Sequence, residues 1–171
     1  MKGIRTNHLN TGKAFERELE ITFAAYETQK LATLRKVDPP TRSIGGGSSP
    51  KRVFHLPNPF LDFVGTWTER GGRALFLEAK STQDPRLPLG RSGGITEKQV
   101  ENLLMWARAG AVSCLIWHVA GETRVLGAGN VGWAVEQGKK SLVPADGGLV
   151  TRGMGSVLWD VLAVLRANPM V

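Results

Sequence analysis

The sequence predicts an α/β domain in which a mixed β-sheet is flanked by helices and carries a protruding, basic, Pro/Gly-rich arm. Three observations lead to this fold class. Apolar residues recur at helical spacing in three segments, short apolar runs of strand length separate them, and one internal segment is dense in glycine and proline. With 171 residues, 42% hydrophobic and 22% charged, the chain suits one globular domain. We expect a flexible basic N-terminus over residues 1–10 and a single domain over residues 11–171.

The N-terminal third predicts a helix, a strand and the arm. An apolar stripe formed by Phe15, Leu19, Phe23 and Tyr26 indicates the helix. The arm is indicated by five prolines and a Gly-Gly-Gly run, which favour an insertion or stalk over a long strand. The expected bounds are residues 11–30 for the helix, 31–37 for the strand, 38–59 for the arm and 52–56 for a short strand within it.

The remaining two thirds predict a hairpin followed by alternating helices and strands. A turn containing Gly71 and Gly72 joins the two hairpin strands, and a Pro/Gly loop follows them. Thr96 and Gln99 form a capping-box pattern at the start of the next helix. Strands are expected at residues 60–67, 73–81, 112–119 and 123–126, and helices at residues 96–109 and 156–167.

The positive charge is concentrated in the N-terminal third. The chain has 22 Lys and Arg against 15 Asp and Glu, and residues 1–60 contribute +5 of the net +7. This distribution favours a polyanionic partner such as nucleic acid, although a basic surface that only aids solubility would look the same. The single cysteine, Cys114, excludes a disulfide framework. Because no long apolar run or signal segment is visible, we expect a cytoplasmic protein without membrane contact.

Residues 127–132, Gly-Ala-Gly-Asn-Val-Gly, match the spacing of a dinucleotide-binding fingerprint. That fingerprint requires a helix long enough to return the chain to a parallel strand. Here Gly138 interrupts the helix, and Pro144 with residues 147–148 leaves no room for the next strand. We interpret the segment as a glycine-rich turn and expect no nucleotide cofactor.

Two acidic residues, Asp62 and Glu78, interrupt strand-like apolar runs. A hairpin would bring them together, and Lys80 would project from the same face as Glu78. Two half-buried carboxylates repel each other unless a cation lies between them, and oxygen ligands favour Mg²⁺ or Mn²⁺. Such a site, with Lys80 orienting water or offsetting charge, suits phosphodiester hydrolysis. The alternative is an ordinary Glu78–Lys80 ion pair beside an edge aspartate.

These residues resemble the PD-(D/E)XK nuclease pattern, and most of all RecU-type Holliday junction resolvases. The segments that carry the resemblance are Gly-Lys-Ala-Phe-Glu at 12–16, Asp-Phe-Val-Gly at 62–65, Leu-Glu-Ala-Lys-Ser-Thr at 77–82, Gln99, Cys-Leu-Ile at 114–116, and Trp133 with Lys-Ser-Leu at 140–142. The likeness extends from about residue 11 to residue 165. Leu61 stands where the superfamily's name has proline.

The resemblance implies a restriction-endonuclease-like fold and roles for five residues. Asp62 and Glu78 would bind Mg²⁺ or Mn²⁺, and Lys80 would assist the attacking water. Glu16 would complete the acidic site directly or through water, unless it belongs to a solvated helix face. Gln99 would orient the site or a phosphate, unless it only caps its own helix.

The function implied is a metal-dependent DNA endonuclease, a homodimer that resolves four-way junctions during recombination and repair. Basic residues of the arm and of the loop after the hairpin are expected to contact DNA: Arg42, Lys51, Arg52, Arg86 and Arg91. Two alternatives remain open at this point. One is a PD-(D/E)XK nuclease with another DNA substrate, and the other is a non-catalytic DNA-binding module of the same fold.

Overall fold

A computed structural model describes residues 8–44, 52–55, 60–91 and 93–167, with side chains at all of these except 8–11, 42–44 and 52–55. The helices are α1 (His8–Thr28), α2 (Glu97–Arg108), α3 (Ala128–Glu136) and α4 (Val161–Ala167). The strands are β1 (Ala32–Lys36), β2 (Thr41–Ile44), β3 (Arg52–His55), β4 (Phe63–Trp67), β5 (Arg73–Thr82), β6 (Leu87–Pro88), β7 (Val112–Val119), β8 (Glu122–Gly127), β9 (Ser141–Leu142) and β10 (Gly148–Val150).

The main sheet has six strands in the order β1-β4-β5-β7-β8-β10. Strands β5 and β7 are parallel, whereas the other neighbours in this sheet are antiparallel. A parallel pair needs a crossover connection, and α2 provides it. The predicted fold class, a mixed sheet flanked by helices, is therefore confirmed.

Successive side chains of the central strands point to opposite faces of the sheet and divide the core into two layers. On β5, Leu75, Leu77 and Ala79 pack with α1 and α4 on one face. Phe76 belongs to the other layer, which contains α2 and α3. Glu78 therefore projects toward α2, in the same layer as Phe76.

The middle of β4 lies unusually close to the backbone of β1. A Cβ atom added at Gly65 would lie 1.8 Å from the carbonyl oxygen of Thr33 on β1. The glycine of the Asp-x-x-Gly segment is thus required by strand packing.

Strands β2 and β3 form an antiparallel two-stranded sheet, separate from the main sheet, in which Thr41 pairs with His55 and Ile44 with Arg52. The short strand expected at residues 52–56 is present as β3, and β2 is an addition that sequence reasoning missed. Lys51 lies outside the described residues, and so do the side chains of Arg42 and Arg52.

Several expected boundaries were wrong for identifiable reasons. The final helix begins at Val161 instead of residue 156, because the Asp160 carboxylate accepts the backbone N–H of Ala163 and caps the helix there. The first helix begins at His8 instead of residue 11 and ends at Thr28 instead of residue 30, where Lys30 adopts a left-handed backbone with φ of 59°. Leu158 and its neighbours pack against the core without being helical.

The interpretation of residues 127–132 as a turn was also wrong. Gly127 is the N-cap residue of α3, and the helix continues to Glu136. Residues 148–150 form an edge strand that had been excluded, but it pairs antiparallel with β8. Because β8 is also antiparallel to β7, the parallel β-α-β unit that a dinucleotide fingerprint requires does not occur here.

Candidate active site

Asp62 lies directly before β4, where the hairpin ladder with β5 ends. Its Oδ2 atom accepts a hydrogen bond of 2.8 Å from the backbone N–H of Ala79. The register pairs Phe63 with Leu77, so Ala79 lies opposite residue 61. The Asp62 side chain thus replaces the backbone acceptor at this step, and the regular strand starts at Phe63 instead of residue 60.

Glu78 lies on the adjacent strand and is 1% exposed. Burial, and then the negative charge of Asp62, raise the pKa of Glu78 to about 7. Burial also raises the pKa of Asp62, even though the Ala79 N–H acts in the opposite direction. The pair therefore retains a proton near neutral pH when no cation accompanies it.

Lys80 lies two residues further along β5, with its Nζ atom 2.8 Å from Glu78 Oε1. The ion pair expected under the simpler alternative is thus present. The pKa of Glu78 is nevertheless raised, so one ammonium group does not balance the buried carboxyl group of Glu78 and the half-buried one of Asp62.

Gln99 caps its own helix and also contacts Glu78. Its Oε1 accepts the backbone N–H of Thr96 at 3.0 Å, and the Thr96 hydroxyl accepts the backbone N–H of Gln99, which completes a capping box at the start of α2. The same amide donates through Nε2 to Glu78 Oε1. The cap therefore orients the amide so that its donor atom contacts the buried carboxyl group.

Glu16 approaches from α1, on the other face of the sheet. Its Oε2 atom lies 2.7 Å from Lys36 Nζ, and its charge contributes to the raised pKa of Asp62. The charge of Glu16 thus acts on Asp62, but its carboxylate forms an ion pair with Lys36.

An open cavity of about 260 Å³ lies over the carboxyl pair. Its walls include Thr96, Lys98 and Asn102 of the α2 region, together with Pro39 and Phe60. Sequence reasoning did not select Lys98, Asn102, Pro39 or Phe60 for the site. No motif marks them, and only the position of Phe60 two residues before Asp62 gives a local signal.

The donor set suits a hard divalent cation. Within the described ranges, no three His, Cys, Asp or Glu side chains are grouped so that they could hold a metal ion. The protein ligands would thus be the Asp62 and Glu78 carboxylates. Mg²⁺ typically takes one or two carboxylates and completes its shell with water and phosphate oxygens, whereas structural zinc needs four protein ligands. The pair therefore fits Mg²⁺ or Mn²⁺.

The predicted DNA-contacting residues are only partly described. Arg86 and Arg91 are exposed on the loop after β5. The arm residues Arg42, Lys51 and Arg52 have no described side chains, so their predicted contacts are not placed. In the part of the chain that the structure covers, no helix has the length and hydropathy needed to cross a membrane.

No family model matches this sequence, and no curated protein matches it either. Among solved structures, the chain is similar to Archaeoglobus fulgidus Hjc, a Holliday junction resolvase from an archaeal hyperthermophile. The two are 20% identical, with a TM-score of 0.48, and the match covers 79% of this chain and 90% of the archaeal one. This similar structure is an Hjc and not a RecU-type protein.

Proposed function

We propose that this protein is a Mg²⁺-dependent DNA endonuclease that cuts four-way junctions by phosphodiester hydrolysis. The observation that carries the proposal is the carboxyl pair of half-buried Asp62 and buried Glu78, which faces an open cavity and is incompletely balanced by Lys80. A net charge of +7 favours an anionic polymer as substrate. The segments around residues 16, 62 and 78–80 resemble those of RecU-type resolvases.

In this proposal each residue has a defined task. Asp62 and Glu78 hold Mg²⁺, which when bound supplies Lewis-acid chemistry toward the phosphate. The Ala79 N–H holds the Asp62 carboxylate in place, and the Gln99 amide does the same for Glu78. The Lys80 ammonium orients the attacking water and offsets negative charge that develops on the phosphate. Glu16 acts through water, because Lys36 engages its carboxylate directly.

Junction selectivity and a homodimer belong to the finer part of the proposal. Resolving a junction requires cuts in two symmetric strands, which two copies of one site can deliver. The β2–β3 arm would enter the junction, as the resemblance to RecU-type proteins implies.

The direct test is cleavage of labelled DNA. We expect the protein to cut four-way junctions with Mg²⁺ or Mn²⁺ and to leave them intact without a divalent cation. A continuous duplex and a single strand of the same sequence serve as matched substrates. Equal cleavage of all three would support a PD-(D/E)XK nuclease without junction selectivity, and binding without cleavage would support the non-catalytic module.

A further inference from the structure

Three aromatic rings form a column that ends beside the carboxyl pair. Phe76 on β5 stacks on Trp106 of α2 with centroids 4.0 Å apart and planes 5° apart. Trp106 in turn stacks on Phe60 at 5.9 Å and 13°. Phe76 is buried, whereas Phe60 is 41% exposed. The column thus runs from the core to the surface and presents an aromatic ring there.

The exposed end of the column belongs to the cavity that holds the carboxyl pair. Phe60 lines this cavity together with Asp62, Glu78 and Lys98. Two residues of chain span at most about 7 Å, so the backbones of Phe60 and Asp62 are separated by no more than about two base steps of DNA. A phosphate held at Asp62 would therefore place a neighbouring base within reach of the Phe60 ring.

The interior of the column supports a role beyond filling space. The Trp106 ring nitrogen is buried and has no hydrogen-bond partner among the described residues. A buried indole N–H normally finds an acceptor, so tryptophan is a costly way to fill this position. A wide ring between Phe76 and Phe60 does, however, hold the outer ring in a fixed plane.

We propose that Phe60 is the stacking platform for one unpaired nucleobase of the DNA, next to the phosphate held at Asp62 and Glu78. Aromatic side chains bind bases of any sequence through their faces, but a base within a continuous duplex is already stacked on its neighbours. Branch points and single strands offer bases that can leave the stack. The platform thus favours branched over continuous DNA at the cutting site itself, independently of the arm. This inference rests on the proposed nuclease function for the phosphate beside the base.

The test uses Phe60→Leu, which keeps an apolar cover on Trp106 but removes the ring, and Phe60→Trp, which restores a ring. The control is Leu149→Ala on the edge strand β10, where Leu149 is similarly exposed at 48%. Binding is measured at one salt concentration to an oligothymidine, to an abasic strand of equal length and charge, to a four-way junction and to a continuous duplex.

We expect Phe60→Leu to lower the affinity for oligothymidine and for the junction about tenfold, and Phe60→Trp to retain it. Affinities for the abasic strand and the duplex should change by less than about twofold, because phosphate contacts are intact. Leu149→Ala should change none of them.

The platform would be overturned if Phe60→Leu lost as much affinity for the abasic strand as for oligothymidine, or lost none for oligothymidine. So would a change in the molar mass of the DNA-free protein in Phe60→Leu, since Phe60 would then join copies of the chain. Cleavage by the unmodified protein is scored separately. If it does not cut while the base-dependent loss is present, the nuclease proposal fails and the platform stands.

Discussion

Two aspartates of this protein accept similar backbone hydrogen bonds yet differ in their electrostatics. Asp62 accepts the N–H of Ala79 at 2.8 Å, and Asp146 accepts the N–H of Val143 at 2.9 Å. Partial burial opposes the charge of Asp146, but the Val143 N–H and the Lys139 ammonium, 2.9 Å away, lower its pKa. Deeper burial beside Glu78 raises the pKa of Asp62 instead.

Asp146 is a structural carboxylate, whereas Asp62 is suited to bind a cation. Asp146 has one cation for one charge, so its charged form is satisfied within the fold. The Asp62–Glu78 pair shares Lys80, and Glu78 is buried, so the doubly charged form of the pair lacks a counter-charge. A divalent cation would supply it.

The largest effect is expected from removing either member of the pair. Asp62→Asn and Glu78→Gln should each lower Mg²⁺-dependent cleavage by at least about 10³-fold, because a metal ligand is lost. DNA binding should be retained or improved, since less negative charge faces the phosphates. Asp146→Asn is the matched control and should cut like the unmodified protein. Near-normal cleavage by either pair variant would contradict the assignment.

Lys80→Ala should slow cleavage about 10²-fold and leave DNA affinity nearly unchanged. The ammonium group is expected to act on charge that develops in the transition state, and not on ground-state binding. Single-turnover rates and binding isotherms measure the two effects separately. Lys139→Ala, which removes the cation beside Asp146, should leave the rate unchanged. An equal loss of affinity and rate in Lys80→Ala would make Lys80 an ordinary phosphate contact.

Gln99 can be tested by separating its two hydrogen bonds. Gln99→Glu keeps a side chain that completes a capping box but replaces the donor to Glu78 by a carboxylate. We therefore expect the cleavage rate to fall about 10- to 100-fold. Thr96→Ala removes the capping hydroxyl. It should lower the melting temperature and leave the cleavage rate nearly unchanged. If both variants lose activity in proportion to their melting temperatures, Gln99 acts only as a helix cap.

The arm can be shortened without breaking its strand pair. Ile44 and Arg52 are partners in the ladder, so an Asn-Gly turn in place of residues 45–51 would close a tight hairpin. We expect junction affinity to fall about tenfold and duplex affinity much less. Lys51→Ala removes the same charge but keeps the full length of the arm. It should weaken binding to the junction and to the duplex slightly and equally. Parallel losses in the shortened variant, at matched salt, would remove the arm from the specificity mechanism.

Much of this architecture follows from local sequence patterns. The stripe from Phe15 to Tyr26, the hairpin before Glu78 and the Thr96–Gln99 cap are each encoded within a few residues, so periodicity and capping rules predict them. The Asp160 cap at the start of α4 is also local, but the apolar residues just before it, Val157 and Leu158, favoured an earlier start. The edge strand β10 depends on β8 as a partner, which a short window of sequence does not show.

The candidate site divides in the same way. Asp62, Glu78 and Lys80 could be predicted because charges inside apolar strands are unusual. The pairing of Glu16 with Lys36 and the stacking of Phe60 on Trp106 join residues that are 20 and 46 positions apart in the chain. Such contacts arise from tertiary packing, which spacing alone does not reveal.

The smallest expected effect concerns the fold itself, in metal-free protein. A Glu78 pKa raised from 4.5 to about 7 means that the folded state binds more protons than the unfolded state, so stability falls as pH rises from 4.5 through 7. This loss amounts to at most about 3 kcal/mol, and Glu78→Gln should avoid it. Chemical unfolding at pH 8 should therefore find Glu78→Gln more stable than the unmodified protein. Asp146→Asn should be less stable by about 1 kcal/mol, because a satisfied hydrogen-bonded charge is lost.

The most direct measurement is thermal unfolding with and without Mg²⁺ at pH 8, without DNA. Ligand at ten times its dissociation constant stabilises the folded state by about 1.4 kcal/mol, or roughly 3–6 °C for a chain of this size. We expect this rise in the unmodified protein and in Asp146→Asn, and no such rise in Asp62→Asn and Glu78→Gln. No rise in the unmodified protein, or an equal rise in all four proteins, would contradict the claim that Asp62 and Glu78 form a cation site.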